Sequence, residues 1–328
     1  MDNVITMAHG GGGRAYRALV EQVFLPRFAI APMNDAAVRP GGGRLALTTD
    51  SFVVSPLFFP GGDIGSLAVS GTVNDLAVSG AVPKYLTVGM ILEEGLPLGD
   101  LTRIADSMAA AAREAGVELV TGDTKVVEKG RCEGVYLNTA GVGVFPPEGY
   151  LPPQQPQPGD ALITSGPLGS HGAAILAARH GMDFDPPLKS DARPMQAAVR
   201  AVLAAGVRPS AMRDPTRGGA AAVLNEWAGE ALDLELEESM VPVLPGVRAA
   251  CELWGIDPLT AACEGVILFS VPAGEADRAL AALQGIPGCA PARLGTVSAG
   301  KGRVHVRTSL GTYRRLLPPS GVLLPRIC

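Results

Sequence analysis

"IGSLAVSGTVNDLAVSGA", residues 64–81, decides the fold class. Its residues are small and apolar on most faces, so it reads as a helix buried all round. It lies between "RLALTTDSFVV" (44–54) and "PKYLTVGMIL" (83–92), two runs rich in β-branched and apolar residues that read as strands. "DLTRIADSMAAAAREAG" (100–116) is a second helix with Leu101, Ile104, Met108, Ala112 and Ala115 on one face. Asp100 is placed to cap its start, and Gly116 suits a left-handed stop. "VELVTGDTKVV" (117–127) then reads as a strand that breaks at Gly122–Asp123. Alternation of this kind is an α/β pattern.

The clearest interruption is "FPPEGYLPPQQPQPGDALITSG" (145–166), where crowded prolines fix φ and remove donors, giving a linker or long surface connection. It divides the chain into residues 1–150 and 151–310, with a tail over 311–328, and the length of 328 residues also favours two domains. The second part repeats the style. "ALITSG" and "GVILFSVP" read as strands, and "HGAAILAARHG", "DARPMQAAVRAVLAAG" and "RGGAAAVLNEWAGE" as helices. Each half is therefore of α/β or α+β class.

Composition removes several classes of function. Net charge is −5 without a Lys/Arg cluster, which argues against a nucleic-acid surface, and aromatics are only 5%, too few for a base-stacking platform. No apolar run approaches the ~18 residues of a membrane span, and "MDNVITMAHGGGG" has no signal-peptide pattern. The five cysteines (132, 251, 263, 289 and 328) are scattered and never spaced C-x-x-C, a poor disulfide framework and a poor zinc site. A cytoplasmic, reducing setting follows as the expectation.

Glycine supplies 42 of the 328 residues, roughly 13% against about 7% in ordinary chains. In "HGGGGRAYRALVEQVF", Gly10, Gly11, Gly12 and Gly13 open onto a helical run, a combination that presents backbone N–H groups and a favourable dipole to phosphate. Plain turns are the competing reading, and the better one for "PGGGR" (40–44). Neither a P-loop nor a strand-borne G-x-G-x-x-G is present.

Four aspartates form the second clue. Asp50 and Asp123 end strands, Asp75 lies inside the apolar helix, and Asp214 precedes a helix entered through glycines. Each alone is more often a cap or turn residue. Together they suggest magnesium, which usually arrives with nucleotide phosphates, because a buried carboxylate needs a partner. Lys125 beside Asp123 and Glu264 before a buried strand read separately as a solvated charge and a turn residue. Cys328 ends "RRLLPPSGVLLPRIC", a proline-broken arm without a regular period. It is either an inert last residue or a thiol on a tether, and prenylation fails because no three residues follow it.

Taken together, "HGGGGR", "TTDS", "FFPGGDIG", "GTVNDLAVSGA", "ILEEGLP", "TGDTKVV", "RDPTRGG" and terminal "LPRIC" make the chain resemble the HypE family. These are the carbamoyl dehydratases of [NiFe]-hydrogenase maturation, in the superfamily of aminoimidazole ribotide synthetase and selenophosphate synthetase. The resemblance spans essentially the whole chain, departing at Ser170 (often aspartate) and Cys263 (often asparagine). It implies a two-domain PurM-like fold whose N-terminal sheet forms a dimeric barrel with a second subunit, ATP beside that interface, and a flexible tail.

Carried over by the resemblance, Gly10 to Gly13, Asn74, Asp75, Thr121, Gly122 and Asp123 would bind ATP. Asp50, Asp75, Asp123 and Asp214 would hold Mg2+, and Cys328, Lys125 and Glu264 would perform the cyanide chemistry. HypF would load a carbamoyl group onto Cys328, ATP-dependent dehydration would turn it into a thiocyanate, and a HypC–HypD complex would accept the cyanide. Selenophosphate synthetase is the nearest enzyme rival, but it would need a cysteine near its N-terminus, and the first here is Cys132. An ATP-gated scaffold that uses "LPRIC" only for docking is the rival from another class.

Overall fold

The computed structural model describes residues 13–19, 21, 37–40, 43–147, 149–320 and 326–328. In chain order, α1 (Arg14–Leu19) and β1 (Ala37–Pro40) precede β2 (Arg44–Phe52). A two-strand hairpin, β3 (Phe58–Phe59) and β4 (Gly62–Asp63), leads into α2 (Ile64–Val78). There follow β5 (Val82–Glu93), α3 (Leu98–Ala115), β6 (Glu118–Val127) and β7 (Val135–Val144). These strands form an open five-stranded sheet ordered β1-β2-β7-β5-β6, in which only β5 and β6 run parallel. Among the described residues the sheet does not close.

The second half contains β8 (Asp160–Thr164), α4 (Ser170–Arg179), α5 (Gln196–Ala204), β9 (Ala211–Arg213), α6 (Gly219–Ala228) and β10 (Leu232–Glu237). After these come α7 (Pro245–Trp254), β11 (Leu268–Pro272), α8 (Ala276–Gln284), β12 (Ala292–Ala299), β13 (Arg303–Arg307) and β14 (Tyr313–Arg315). Its strands make a seven-stranded sheet ordered β14-β13-β10-β12-β8-β11-β9. No helix among the described residues is long and apolar enough to cross a membrane.

Helix α2 is the axle of the molecule. Asp63 caps it, accepting the N–H groups of Gly65 and Ser66, while Ser66 Oγ accepts the N–H of Asp63 in return. Such a cap contributes about 1 kcal/mol. Its small residues let neighbours approach on every side. A Cβ on Gly65 would stand 2.4 Å from the Ile104 carbonyl oxygen of α3, and one on Gly71 would touch the Phe52 ring of β2. Thr72 is hydrogen-bonded to Thr139 of β7. The helix is therefore buried almost all round, as its composition requires.

Both halves share their cores. Ala77 and Val78 of α2 pack with Ile163, Val199 and Phe269 of the second half. Ala173, Ala174 and Ala250 of α4 and α7 join the cluster built on Phe52, Leu67 and Ile104.

Three local expectations need revision. Helix α3 begins at Leu98 after Pro97, so Asp100 sits in its first turn and favours the dipole without capping. Strand β6 runs unbroken through Gly122 and Asp123, because the absence of a Cβ at Gly122 lets it lie against Val88 of β5, whose oxygen such an atom would approach to 2.7 Å. Residues Tyr313–Arg315, inside the expected tail, pair with β13 as an edge strand, and Leu316 after them is buried.

Candidate functional site

Alternation along β2 decides where its acid points. Ala46 and Phe52 are buried, so Thr48 and Asp50, in step with them, also face α2. Thr48 Oγ1 donates to Asp75 Oδ2 at 2.8 Å, which brings the α2 acid against the same strand. Asp214 is buried on the segment between β9 and α6, where Gly218 and Gly219 adopt φ of 79° and 59°. A Cβ on Gly219 would meet the Ala261 oxygen at 2.5 Å, so glycine is what lets α6 start against the 259–261 segment.

Glu264 is almost fully buried just ahead of β11. Its carbonyl oxygen accepts Asn74 Nδ2 at 3.0 Å, and its N–H donates to Asp191 Oδ1 at 3.1 Å. Asn74 also donates to the Arg193 carbonyl and accepts the Met195 N–H, so both amide hydrogens serve the backbone under Glu264. Asn74 is thus a support for Glu264. The carboxyl itself is pushed well above the usual range, first by burial and then by the charges of Asp214, Asp50 and Asp191, with Arg217 opposing. Its Oε1 finds no hydrogen-bond partner among the described residues.

Cys328 meets this carboxyl. Its thiol lies beside Glu264, and desolvation, followed by the Glu264 charge, pushes it well above the ordinary thiol range while Arg217 opposes; the terminal residue as a whole is half-buried. The tip of the tail is held at each residue. Arg326, with φ of 53°, pairs with Glu133, and its carbonyl accepts the Ser55 N–H at 3.1 Å and Arg179 Nη2 at 2.8 Å. Ile327 is buried in the core cluster, and its carbonyl lies 2.6 Å from His171 Nε2.

Not every expected residue converges here. In the cross-strand row Ser51–Asn138–Gly89–Asp123, Ser51 and Asn138 are exposed, so Asp123 faces away from α2. Lys125 shares that open face and pairs with Asp123 at 2.8 Å, which lowers the Asp123 carboxyl chiefly through the Lys125 hydrogen bond. Three strand spacings of ~4.8 Å also separate β6 from β2, about 14 Å in all. Thr121 lies on β6 towards the open face and Gly122 towards β5's buried side. Gly13 lies against the Pro319 carbonyl, where a Cβ would come within 2.3 Å, while Gly10, Gly11 and Gly12 fall outside the described residues.

Among the described residues no three His, Cys, Asp or Glu side chains come together as a ready metal cage. The Asp50 and Asp214 charges nonetheless act on Glu264, with Arg217 opposing, and Asp50 acts on Cys328 as well. Acids that raise a neighbouring carboxyl in this way fit a divalent cation held by one or two carboxylates together with phosphate oxygens, the usual mode of magnesium. Of the two departures, Ser170 is a buried first residue of α4, and Cys263 Sγ accepts the Gly169 N–H at 3.1 Å. Both are absorbed locally. Arg179, Glu133, Ser55, Asp191 and Arg217 join the site without having been singled out beforehand, although Arg217 lies inside "RDPTRGG".

Residues 33–145 match the family described as AIR synthase related protein, N-terminal domain, and residues 157–307 its C-terminal domain. The chain is 49% identical to carbamoyl dehydratase HypE of Azotobacter vinelandii, over 99% of this chain and 97% of that protein. Among solved structures, hydrogenase maturation protein HypE in complex with ATP superposes with a TM-score of 0.82 at 42% identity, covering 99% of this chain and 100% of that one. A HypE–HypF complex superposes with a TM-score of 0.86 at 42% identity, covering 92% and 100%.

Proposed function

The chain belongs to the AIR synthase-related proteins, in the group of carbamoyl dehydratases named HypE, and from that premise we propose that it dehydrates a carbamoyl group carried on Cys328 to an S-cyanide at the expense of ATP. It is an enzyme of hydrogenase maturation. The observation that carries the chemistry is the approach of the Cys328 thiol to the buried carboxyl of Glu264, within reach of the Asp50 and Asp214 charges.

HypF is the carbamoyl donor in this reading, and loading requires the thiol to leave its buried site, since the thiolate is the nucleophile. With the loaded tip docked again, the carbamoyl oxygen attacks the γ-phosphorus and the bond to ADP breaks. One nitrogen proton leaves as the oxygen becomes phosphorylated. The C–O bond then breaks, phosphate departs and the second nitrogen proton is lost as C≡N forms. Of these two protons one ends on phosphate and one is released. Glu264, in its ionised form, is the acceptor within reach, and its raised proton affinity makes that carboxylate the stronger base. Magnesium, held by Asp50 or Asp214 with Asp75 nearby, would neutralise phosphate charge. Ile327, buried behind the thiol, keeps water from the phosphorylated group.

Lys125 and Asp123 are assigned to a second copy of the chain. Strand β6 is an edge strand exposed along nearly its whole length, and the open face presents Leu47, Tyr85 and Ile91 to solvent. A homodimer that pairs these faces into a barrel would cover both and set the β6 residues beside the interface, where ATP binds in this reading. The same proposal keeps residues 1–150 and 151–310 as dimerising and closing segments, confines the carrier to the part of 311–328 that follows the anchored Tyr313–Leu316, and takes a HypC–HypD complex as cyanide acceptor.

The test is mass spectrometry of the peptide containing Cys328 after incubation with HypF, carbamoyl phosphate and ATP. The peptide should gain a carbamoyl group and then lose water. An unmodified peptide, where a HypE relative reacts in parallel, would refute the assignment.

A further inference from the structure

His171 is completely buried at the start of α4, its ring edge-on to Phe59 at 5.6 Å. Both ring nitrogens are engaged. Nε2 lies 2.6 Å from the Ile327 carbonyl oxygen, and Nδ1 lies 2.7 Å from Ser190 Oγ. A carbonyl can only accept, so Nε2 carries the hydrogen. In the neutral ring Nδ1 must then accept, and Ser190 is arranged to donate, because its Oγ already accepts the Ala192 N–H at 3.0 Å. Ser190 is itself fixed by its N–H bond to the Pro60 carbonyl at 2.8 Å. Burial holds the ring neutral, lowering its pKa to about 4.

We propose that His171 is the positioning residue that fixes the docked tail tip by donating to the Ile327 carbonyl, and that Ser190 sets the tautomer able to do so. The tethers from Ser55, Arg179 and Glu133 all grip Arg326, one residue further from the thiol. His171 holds the peptide carbonyl next to Cys328 itself. When the tip leaves, the Nε2 hydrogen loses its acceptor in a dry site, and that cost favours the docked arrangement. Docking by His171 rests on the proposed reaction for its purpose, but it can be measured without turnover.

The experiment is alkylation of the full chain with iodoacetamide, read at Cys328 by mass spectrometry of a chymotryptic digest. Cys328 is half-buried when docked, with its thiol beside Glu264, so release of the tip raises its reactivity and a change in rate reports a change in the docking equilibrium. His171→Ala should speed alkylation at Cys328 about tenfold, the size expected for one lost buried hydrogen bond. Alkylation of buried Cys132, Cys251 and Cys263 should stay slow, which a general loss of structure would not allow. His171→Gln, which returns an N–H near the Nε2 position, should restore most of the protection. His171→Ala reacting at the wild-type rate, or His171→Gln reacting as fast as His171→Ala, would overturn the proposal. If His171→Ala does not fold, Ser190→Ala decides: several-fold faster reaction at Cys328 supports the assigned tautomer, and an unchanged rate defeats it. A wild-type chain that never dehydrates carbamoyl would count against the proposed reaction, while the alkylation rates would still decide the role of His171.

Discussion

The thiol of Cys328 lies beside the carboxyl of Glu264, in a site where desolvation raises the proton affinity of both. Neither group is poised for chemistry on its own there. The thiol is held in its protonated, unreactive form while docked, and the carboxyl beside it has a raised affinity for a proton. In the proposed reaction this arrangement would separate loading, which needs an exposed thiolate, from dehydration, which needs a dry site.

Glu264→Gln tests that separation. The amide keeps the shape and an acceptor for the thiol but cannot take a proton. Dehydration should fall by about 10²–10⁴, the usual contribution of a positioned base, while carbamoyl loading proceeds at close to the wild-type rate. Intact-mass kinetics resolves the two steps, and equal loss of both would refute the role.

Asn74→Ala removes two donors and an acceptor from a fully buried position and strands the Arg193 and Glu264 carbonyls and the Met195 N–H. Loss of about 2–4 kcal/mol is expected. Urea unfolding measures it, and a change under about 1 kcal/mol, the size of a single ordinary hydrogen bond, would show that the support is dispensable.

Asp191 should make stability depend on pH. Burial raises its pKa from 3.8 to about 6, so between these values the folded state binds more protons than the unfolded one. Stability from this group is fully present below pH 3.8 and falls as pH rises through about 6, by up to about 3 kcal/mol. The difference between wild-type and Asp191→Asn unfolding free energies should therefore change over about pH 4–7 and level off above. A difference that stays flat over this range would contradict the effect of burial on the carboxyl.

Gly265→Ala should disrupt the site without touching a reactive group. An added Cβ would stand 1.8 Å from the Asp191 carbonyl oxygen, so the 190–193 segment must lift and the Asp191–Glu264 bond must lengthen. Overpacking against backbone costs about 1–3 kcal/mol or more. A lower melting temperature together with slower dehydration is the expected pair of results.

Ile91→Lys probes the proposed dimer. Ile91 is 43% exposed and sits in the row with Tyr136 and Lys125 on the open sheet face. A lysine there is well solvated in a free protomer and unwelcome in a packed face. Light scattering should show a dimer for the wild-type chain and a monomer for the variant, with secondary structure unchanged.

Much of the first half was legible from local chemistry. The all-round burial of α2 follows from residues 64–78 themselves, and the end of α3 from Gly116, which adopts φ of 67°. Glu264 could be placed before a buried strand, and Asp214 before a helix entered through glycines. What stayed hidden depends on distant geometry. That Asp50 and Asp123 face opposite sides of one sheet is set by register through two intervening strands. Arg179 and Asn74 act on backbone carbonyls, which leave no pattern in residue types. Strand β14 is three residues long, too short to show a period.

The shared packing around α2 limits how such a protein can be recombined. A chimera that joined residues 1–150 to the other half of a distant homologue would leave the Ala77 and Val78 methyl groups facing unmatched neighbours, and would ask the Asn74 amide to meet the 193 and 264 carbonyls of a differently packed backbone. The boundary at the proline-rich connection is thus a poor place for shuffling. A successful graft would have to carry α2 along with the segments it props up.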